Sequence, residues 1–114
     1  FQEAPQFTKY APGQFYDWHC DGTNKLNENG LTRKLSMSIT LSNPEDYTDG
    51  LFQFDFRDYD PRHRDPRIAE RSVTEILPRG SVLFFPSWVW HRVKPVTSGI
   101  RYSLVNWIQG TPFR

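Results

Sequence analysis

The sequence has little that would tie it to a membrane, a disulfide framework or a nucleic acid. Its single cysteine excludes an internal disulfide and any zinc site built from several cysteines. It has neither an apolar run of membrane-spanning length nor a recognisable secretory signal. The 14 basic and 13 acidic residues give no electrostatic argument for binding nucleic acid or anionic lipid. These absences favour a cytoplasmic protein that binds neither nucleic acid nor membrane.

Aromatic residues are abundant in this chain. They make up 16% of it, with nine Phe, five Tyr and four Trp, a composition that suits a β-rich core. The length of 114 residues fits one domain over 1–114. The chain does not begin with Met, and we expect an N-terminal portion to precede it.

Short segments rich in β-formers alternate with turn residues along the whole chain. A turn cluster (43–50) and a charged, Pro-containing loop (57–71) separate some of them. About eight strands are predicted, over 6–11, 14–19, 33–42, 51–56, 72–77, 81–86, 89–96 and 100–108. With no convincing helix, the pattern predicts a two-sheet antiparallel sandwich or jelly roll.

The segment 33–42 has the clearest period-two pattern. Apolar side chains (Leu35, Met37, Ile39, Leu41) alternate with hydroxyls (Ser36, Ser38, Thr40, Ser42). The row of hydroxyls fits a solvated face. It equally fits the wall of a polar pocket inside a jelly roll.

Two of the three histidines, with one aspartate, suggest a metal site. His19 and Asp21 are two residues apart, so on an extended strand they point to the same side. His91 follows a Trp-Val-Trp run on a late strand. Two histidines and one carboxylate can occupy one face of an octahedral Fe(II) and leave three positions open. Taken alone, His91 fits an inert histidine packed among aromatics better than it fits a metal ligand.

Arg101 lies ten residues after His91, with Ser103 facing the same way. A guanidinium binds a carboxylate through two parallel hydrogen bonds. Apolar neighbours suggest a buried strand, where an Arg needs an acidic partner. A dicarboxylate ligand could supply that partner.

These segments resemble the Fe(II)- and 2-oxoglutarate-dependent dioxygenases of the prolyl 4-hydroxylase type, in their bacterial and phage forms. The stretch from Tyr10 through Gly13 and Tyr16 to His19 and Asp21 is similar to the family's Tyr-x-x-Gly-x-x-Tyr-x-x-His-x-Asp signature. Residues 33–42, 78–86 and 91–103 are similar to its later core strands. The resemblance implies a double-stranded β-helix, a distorted jelly roll, without the N-terminal helices usual in the family.

The resemblance also implies roles for individual residues. His19, Asp21 and His91 would bind Fe(II), while Arg101 and Ser103 would hold the far carboxylate of 2-oxoglutarate. The resemblance concerns five further residues and one loop. Tyr10 would contact the cosubstrate. Thr40 stands where several relatives have a Tyr that does so. Trp107 would wall the pocket or belong to the core. Trp88 and Trp90 would shape the entrance or pack in the core. The loop 57–71 would close over a peptide as a lid or remain solvated.

The implied reaction is hydroxylation of prolyl residues in a peptide or protein, with dioxygen as co-reactant and ascorbate as a possible requirement. Two alternatives stay open. One is a related oxygenase that acts on a free amino acid or another small molecule. The other is a noncatalytic jelly-roll binding module, which would need neither the iron ligands nor Arg101. The sequence leaves the oligomeric state undetermined.

Overall fold

The computed structural model describes residues 2–22, 30–55 and 70–111. Ten strands occupy the described chain: β1 (Gln6–Tyr10), β2 (Tyr16–His19), β3 (Thr32–Thr40), β4 (Tyr47–Asp49), β5 (Phe52–Asp55), β6 (Glu70–Ser72), β7 (Val82–Pro86), β8 (Trp90–Val93), β9 (Val96–Gly99) and β10 (Arg101–Gly110). Its helices are two 3₁₀ turns, Pro44–Asp46 and Thr74–Ile76. No helix of the described residues is long and apolar enough to cross a membrane.

The strands form two four-stranded sheets and one two-stranded pair. The first sheet has the order β1-β10-β3-β7, the second β2-β8-β5-β6, and β4 pairs with β9. Every pairing is antiparallel. The predicted all-β jelly roll is therefore confirmed, and long crossovers between the sheets give it its rolled topology.

The two sheets pack face to face and contribute different side chains to the interior. The second sheet supplies aromatic and aliphatic residues of the core, including Phe52, Phe54 and Val93, and the first supplies Phe85. Val73 and Ile76 close the same core cluster. Elsewhere the inner face of the first sheet is mostly polar, with Thr8, Ser36 and Ser103 lining the cavity. The interior thus has one apolar wall and one polar wall.

The hydroxyl row of β3 lies on that polar wall. Ser36, Ser38 and Thr40 are buried, whereas Leu35 and Ile39 on the opposite face are only partly so. Of the two interpretations that the sequence allowed, the polar-pocket one is correct. The solvated-face interpretation is wrong, because the sheet turns its hydroxyls toward the partner sheet.

Three local predictions need correction. The segment 72–77 is a strand only up to Ser72 and then forms a 3₁₀ turn, in which the Leu77 N–H donates to the Thr74 carbonyl (3.1 Å). Its buried residues, Val73 and Ile76, are three apart, which is the 3₁₀ repeat and not the strand repeat. The predicted strand 89–96 is two strands, because Pro95 interrupts it.

The turn cluster 43–50 also contains more structure than predicted. Its first half is the turn Pro44–Asp46, but Tyr47–Asp49 form β4 and pair with β9. Gly99 makes this pairing possible, because its φ is +73° and its Cα lies against the Asp46 carbonyl. Gly99 and Asp46 are far apart in the sequence, so the local sequence could not reveal this approach.

Candidate active site

Two adjacent strands bring the three predicted metal ligands together. His19 at the end of β2 is the direct cross-strand partner of His91 on β8, and Asp21 follows β2 by two residues. One ligand atom from each residue lies within 4.8 Å of the others. The Asp21 Oδ1 atom is 3.4 Å from the Nε2 atom of each histidine. The three side chains therefore converge in the structure, as the sequence predicts.

Backbone carbonyls orient both imidazoles. The Nδ1 of His19 is 2.7 Å from the Asp17 carbonyl oxygen, and that of His91 is 2.9 Å from the Val89 carbonyl oxygen. A carbonyl only accepts, so each Nδ1 carries the hydrogen and donates it. Nε2 is then the ring nitrogen that faces Asp21. It can donate to the carboxylate when it carries a proton, and in the neutral ring it offers a lone pair to a metal, the usual arrangement for a metal-binding histidine. Two lone pairs and a carboxylate oxygen facing one point are a donor set for a cation.

Asp21 is ionised in this setting. Burial alone would raise the pKa of its carboxyl. The contacts with His19 and His91, together with a 2.6 Å hydrogen bond from the Ser36 hydroxyl to Oδ2, outweigh burial and hold that pKa far below its usual range. Because the hydroxyl occupies Oδ2, the oxygen that faces the imidazoles is Oδ1.

Aromatic rings enclose His91. Phe52 stacks on it with a centroid distance of 5.5 Å, and Phe85 meets it edge-on at 4.7 Å. Tyr16 stacks on His19 at 3.7 Å and remains 53% exposed, so it forms part of the rim. His91 is thus fixed in the apolar wall while the His19 side opens toward solvent.

The ligand atoms face a cavity of about 190 Å³ that extends between the two sheets to Arg101. Arg101 is 4% exposed, and its guanidinium lies 5.5 Å from the Tyr10 ring centroid. Burial raises the pKa of the Tyr10 phenol, and the Arg101 charge lowers it only in part, so the phenol is neutral at physiological pH. Thr8 and Ser103, whose hydroxyls hydrogen-bond each other, line the same end.

Among the described residues, no carboxylate forms an ion pair with Arg101. Burying an unpaired guanidinium is unfavourable, so an anion that enters the cavity would be strongly bound there. Arg33, the second arginine among the described residues that line the cavity, is already paired. Arg33 forms two hydrogen bonds to the Glu3 carboxylate, at 2.7 and 3.0 Å, and stacks 3.8 Å from the Trp107 ring centroid.

Residues 5–109 match the model of the 2OG-Fe(II) oxygenase superfamily. The chain belongs to this superfamily. Its fold is that of a 2OG-Fe(II) oxygenase domain, and the family is named for iron and 2-oxoglutarate. The predicted membership is confirmed, and it covers nearly the whole chain.

Individual relatives agree with the family. The chain is 35% identical over 108 residues to a PKHD-type hydroxylase from Klebsiella pneumoniae, covering 93% of this chain and 43% of that protein. It is 33% identical over 101 residues to a PKHD-type hydroxylase from Synechococcus, covering 88% of this chain and 40% of that protein. The chain therefore spans about two fifths of the length of these curated relatives.

The solved structures show the same fold. The viral collagen prolyl hydroxylase vCPH from Paramecium bursaria Chlorella virus-1 matches with a TM-score of 0.69 at 22% identity, covering 98% of this chain and 61% of that one. This likeness supports the jelly roll of the 2OG-Fe(II) oxygenase domain.

Most of the predicted cosubstrate residues of this oxygenase domain line the cavity. They are Tyr10, Arg101, Ser103 and Trp107. Thr40 is not among the described residues that line it. Its hydroxyl donates to the Ile76 carbonyl (2.7 Å), so it joins β3 to the 3₁₀ turn and does not donate that hydrogen to a ligand.

Trp88 and Trp90 were predicted to shape the entrance or to pack in the core. Trp88 is 56% exposed, and Trp90 is half-buried on β8. The lid predicted for the loop 57–71 falls mainly on 57–69, which lie outside the described residues, and it stays a prediction.

Sequence reasoning missed several residues of the site. Thr8 was missed because its position opposite Ser103 depends on the pairing of β1 with β10. Ser87 and the Glu3–Arg33 pair were also missed. The alternation of β3 pointed to Ser36 but gave no means of pairing it with Asp21, because that contact depends on how the two sheets stack.

Proposed function

We propose that residues 1–114 form a single catalytic domain of an Fe(II)- and 2-oxoglutarate-dependent hydroxylase that acts on prolyl residues in a peptide or protein. The observation that carries this proposal is the pairing of two features in one cavity. A cluster of two histidines and one carboxylate lies in its wall, together with a buried arginine that has no acidic partner among the described residues. Fe(II) and a dicarboxylate are the ligands that satisfy both.

The donor set fits Fe(II). Two imidazole nitrogens and one carboxylate oxygen are the protein ligands typical of nonheme Fe(II) oxygenases, and they leave positions for other ligands. A structural zinc site would need a fourth protein ligand, and the described residues place none within this cluster. His19, Asp21 and His91 would therefore hold the metal.

The chain's other residues would bind and orient 2-oxoglutarate. Arg101 would receive the far carboxylate in a two-point hydrogen bond, with the Ser103 hydroxyl beside it. Tyr10 would support this end through its neutral phenol, which can donate a hydrogen bond. The near carboxylate and keto oxygen would then point toward the histidine–aspartate cluster.

Fe(II), with 2-oxoglutarate and dioxygen, supplies the oxidising power to convert a C–H bond into C–OH while 2-oxoglutarate becomes succinate and carbon dioxide. The protein's contribution is placement and exclusion of water. Phe52 and Phe85 keep the inner side of the cluster dry, and substrate would approach from the Tyr16 side.

The prolyl substrate is supported by similarity and by the rim. The fold neighbour described above is named a collagen prolyl hydroxylase. Two exposed aromatic side chains lie near the starts of the strands that carry the histidines, Tyr16 in β2 and Trp88 just before β8. Aromatic faces suit the pyrrolidine ring, and proline-rich peptides are already extended, which lowers the entropy lost on binding.

Mass spectrometry of peptides tests this function. Proline-containing peptides incubated with the protein, Fe(II), 2-oxoglutarate and ascorbate are expected to gain one oxygen atom with equimolar succinate. The matched control is the same peptide with alanine in place of each proline, which should gain none. If a free amino acid or other small molecule gains oxygen and no peptide does, the oxygenase assignment stands and the prolyl assignment is wrong.

A further inference from the structure

Two buried serines support the Asp21 side chain through the carboxylate oxygen that does not face the histidines. Ser36 on β3 is 2% exposed, and Ser87, just after β7, is 0% exposed. The Ser36 Oγ lies 2.6 Å from Asp21 Oδ2 and 2.9 Å from the Ser87 Oγ. The three side chains form one hydrogen-bonded chain that runs from the first sheet to the histidine–aspartate cluster.

The chemistry of the groups fixes the direction of this chain. The Ser36 hydroxyl donates its single hydrogen to the Oδ2 atom of Asp21. The Ser36 oxygen can then only accept in its contact with Ser87, which must be the donor. The order is Ser87 to Ser36 to Asp21, and each hydroxyl polarises the next.

The backbone holds Asp21 to the same point. The Asp21 and Gly22 N–H groups both donate to the Ser87 carbonyl, at 3.0 and 2.8 Å. Ser87 is itself held to β3, because its N–H donates to the Lys34 carbonyl (3.0 Å). A Cβ on Gly22 would lie 2.8 Å from the Arg33 carbonyl oxygen and 3.1 Å from the Ser87 Cβ. The main chain therefore approaches Ser87 as closely as glycine allows.

This support is specific to one carboxylate oxygen. The hydroxyl chain occupies Oδ2, while Oδ1 lies 3.4 Å from both histidine Nε2 atoms. Without the Ser36 hydroxyl, nothing in the described contacts would hold Oδ2, and the carboxylate could rotate away from the imidazoles. Asp21 would then have to be ordered at the moment a cation binds.

We propose that Ser36 and Ser87 are positioning residues that hold Asp21 in its metal-binding orientation, with the Ser87 hydroxyl acting only through Ser36. This inference rests on the metal site in the proposed function. It adds a source of metal affinity that lies outside the three ligands, on the opposite sheet.

Anaerobic Fe(II) titration of Ser36→Ala is the first test. Loss of a residue that orients a metal ligand typically weakens metal binding about 10–100-fold, and we expect a loss in that range. Ser38→Ala is the matched control, since Ser38 lies two residues further along the same buried face and is not a hydrogen-bond partner of Asp21 in the described structure. It should bind Fe(II) like the wild type. Ser36→Thr keeps the hydroxyl and should restore most of the affinity.

A double-mutant cycle tests the order of the chain. Ser87→Ala should weaken Fe(II) binding less than Ser36→Ala, and it should add nothing in the Ser36→Ala background. Urea unfolding of each metal-free variant separates positioning from folding. If Ser36→Ala does not fold, Ser87→Ala and Ser36→Thr still give the affinities that decide the question.

Two results would overturn the proposal. One is wild-type Fe(II) affinity in Ser36→Ala or, if that variant does not fold, in Ser87→Ala. The serines would then be structural only, even if the variant unfolds at a lower urea concentration. The other is additive losses in the cycle, which would mean that Ser87 acts independently. Failure of the wild type to bind Fe(II) at all would instead reject the metal site of the proposed function.

Discussion

At the residue scale, the site combines groups that are unfavourable without their ligands. Two imidazole lone pairs face one carboxylate oxygen, and a buried guanidinium has no acidic partner in the described structure. The sequence pointed to these residues because few other arrangements require a His-x-Asp pair, a distant His and an Arg ten residues later. It did not point to Thr8 or Ser87, since isolated hydroxyls are common and their contacts here cross between strands.

Replacing Arg101 by Ala should raise the 2-oxoglutarate concentration needed for binding and leave Fe(II) affinity largely intact. A charge-assisted hydrogen bond contributes about 1.5–3 kcal/mol, which corresponds to roughly a tenfold to hundredfold change in affinity. Titration of the Fe(II)-loaded protein with 2-oxoglutarate under nitrogen measures it.

Arg92→Ala is the matched control for this change. Arg92 stacks 4.5 Å from the Trp18 ring centroid and hydrogen-bonds Gln53, outside the cavity-lining set. Its loss should leave 2-oxoglutarate binding unchanged. Unaltered 2-oxoglutarate affinity in Arg101→Ala would assign the anion to another cation.

At the element scale, period-two patterning predicted most strands but not which face was inside. In β3 the apolar face is the outer one, and the hydroxyls Ser36 and Ser38 line the cavity. Apolar side chains are usually buried and polar ones exposed. In β3 the order is reversed, because the buried hydroxyls line the cavity of the site. β4 was missed because its pairing with β9 joins distant segments.

The glycine that allows this pairing gives a stability prediction. A Cβ at Gly99 would lie 2.0 Å from the Asp46 carbonyl oxygen and 2.8 Å from the Tyr47 Cα, so Gly99→Ala must separate β9 from β4. Gly80→Ala is the control, because Gly80 also has a positive φ (+87°) but nothing lies within 4 Å of its added Cβ.

Urea unfolding should separate the two glycine variants. Gly80→Ala is expected to lower the free energy of unfolding by about 1–2 kcal/mol, the cost of a left-handed non-glycine residue. Gly99→Ala should lower it by clearly more. Equal losses would mean that the β4–β9 pairing contributes little to stability.

At the scale of the whole molecule, two sheets with different inner faces enclose one cavity, which is lined by both the histidine–aspartate cluster and Arg101. This follows from the jelly roll, which places β2 and β8 against β3 and β10 although they are distant in sequence. The superfamily match covers 5–109, so this cavity belongs to the part that the chain shares with its relatives.

The most direct test of the account is anaerobic Fe(II) titration of the wild type against His91→Ala. We expect one Fe(II) per wild-type chain and a large loss of affinity in the variant, since one of three protein ligands is removed. His63→Ala, which changes the chain's remaining histidine, is the control and should bind Fe(II) like the wild type. Wild-type affinity in His91→Ala would contradict the assignment of this cavity as the iron site.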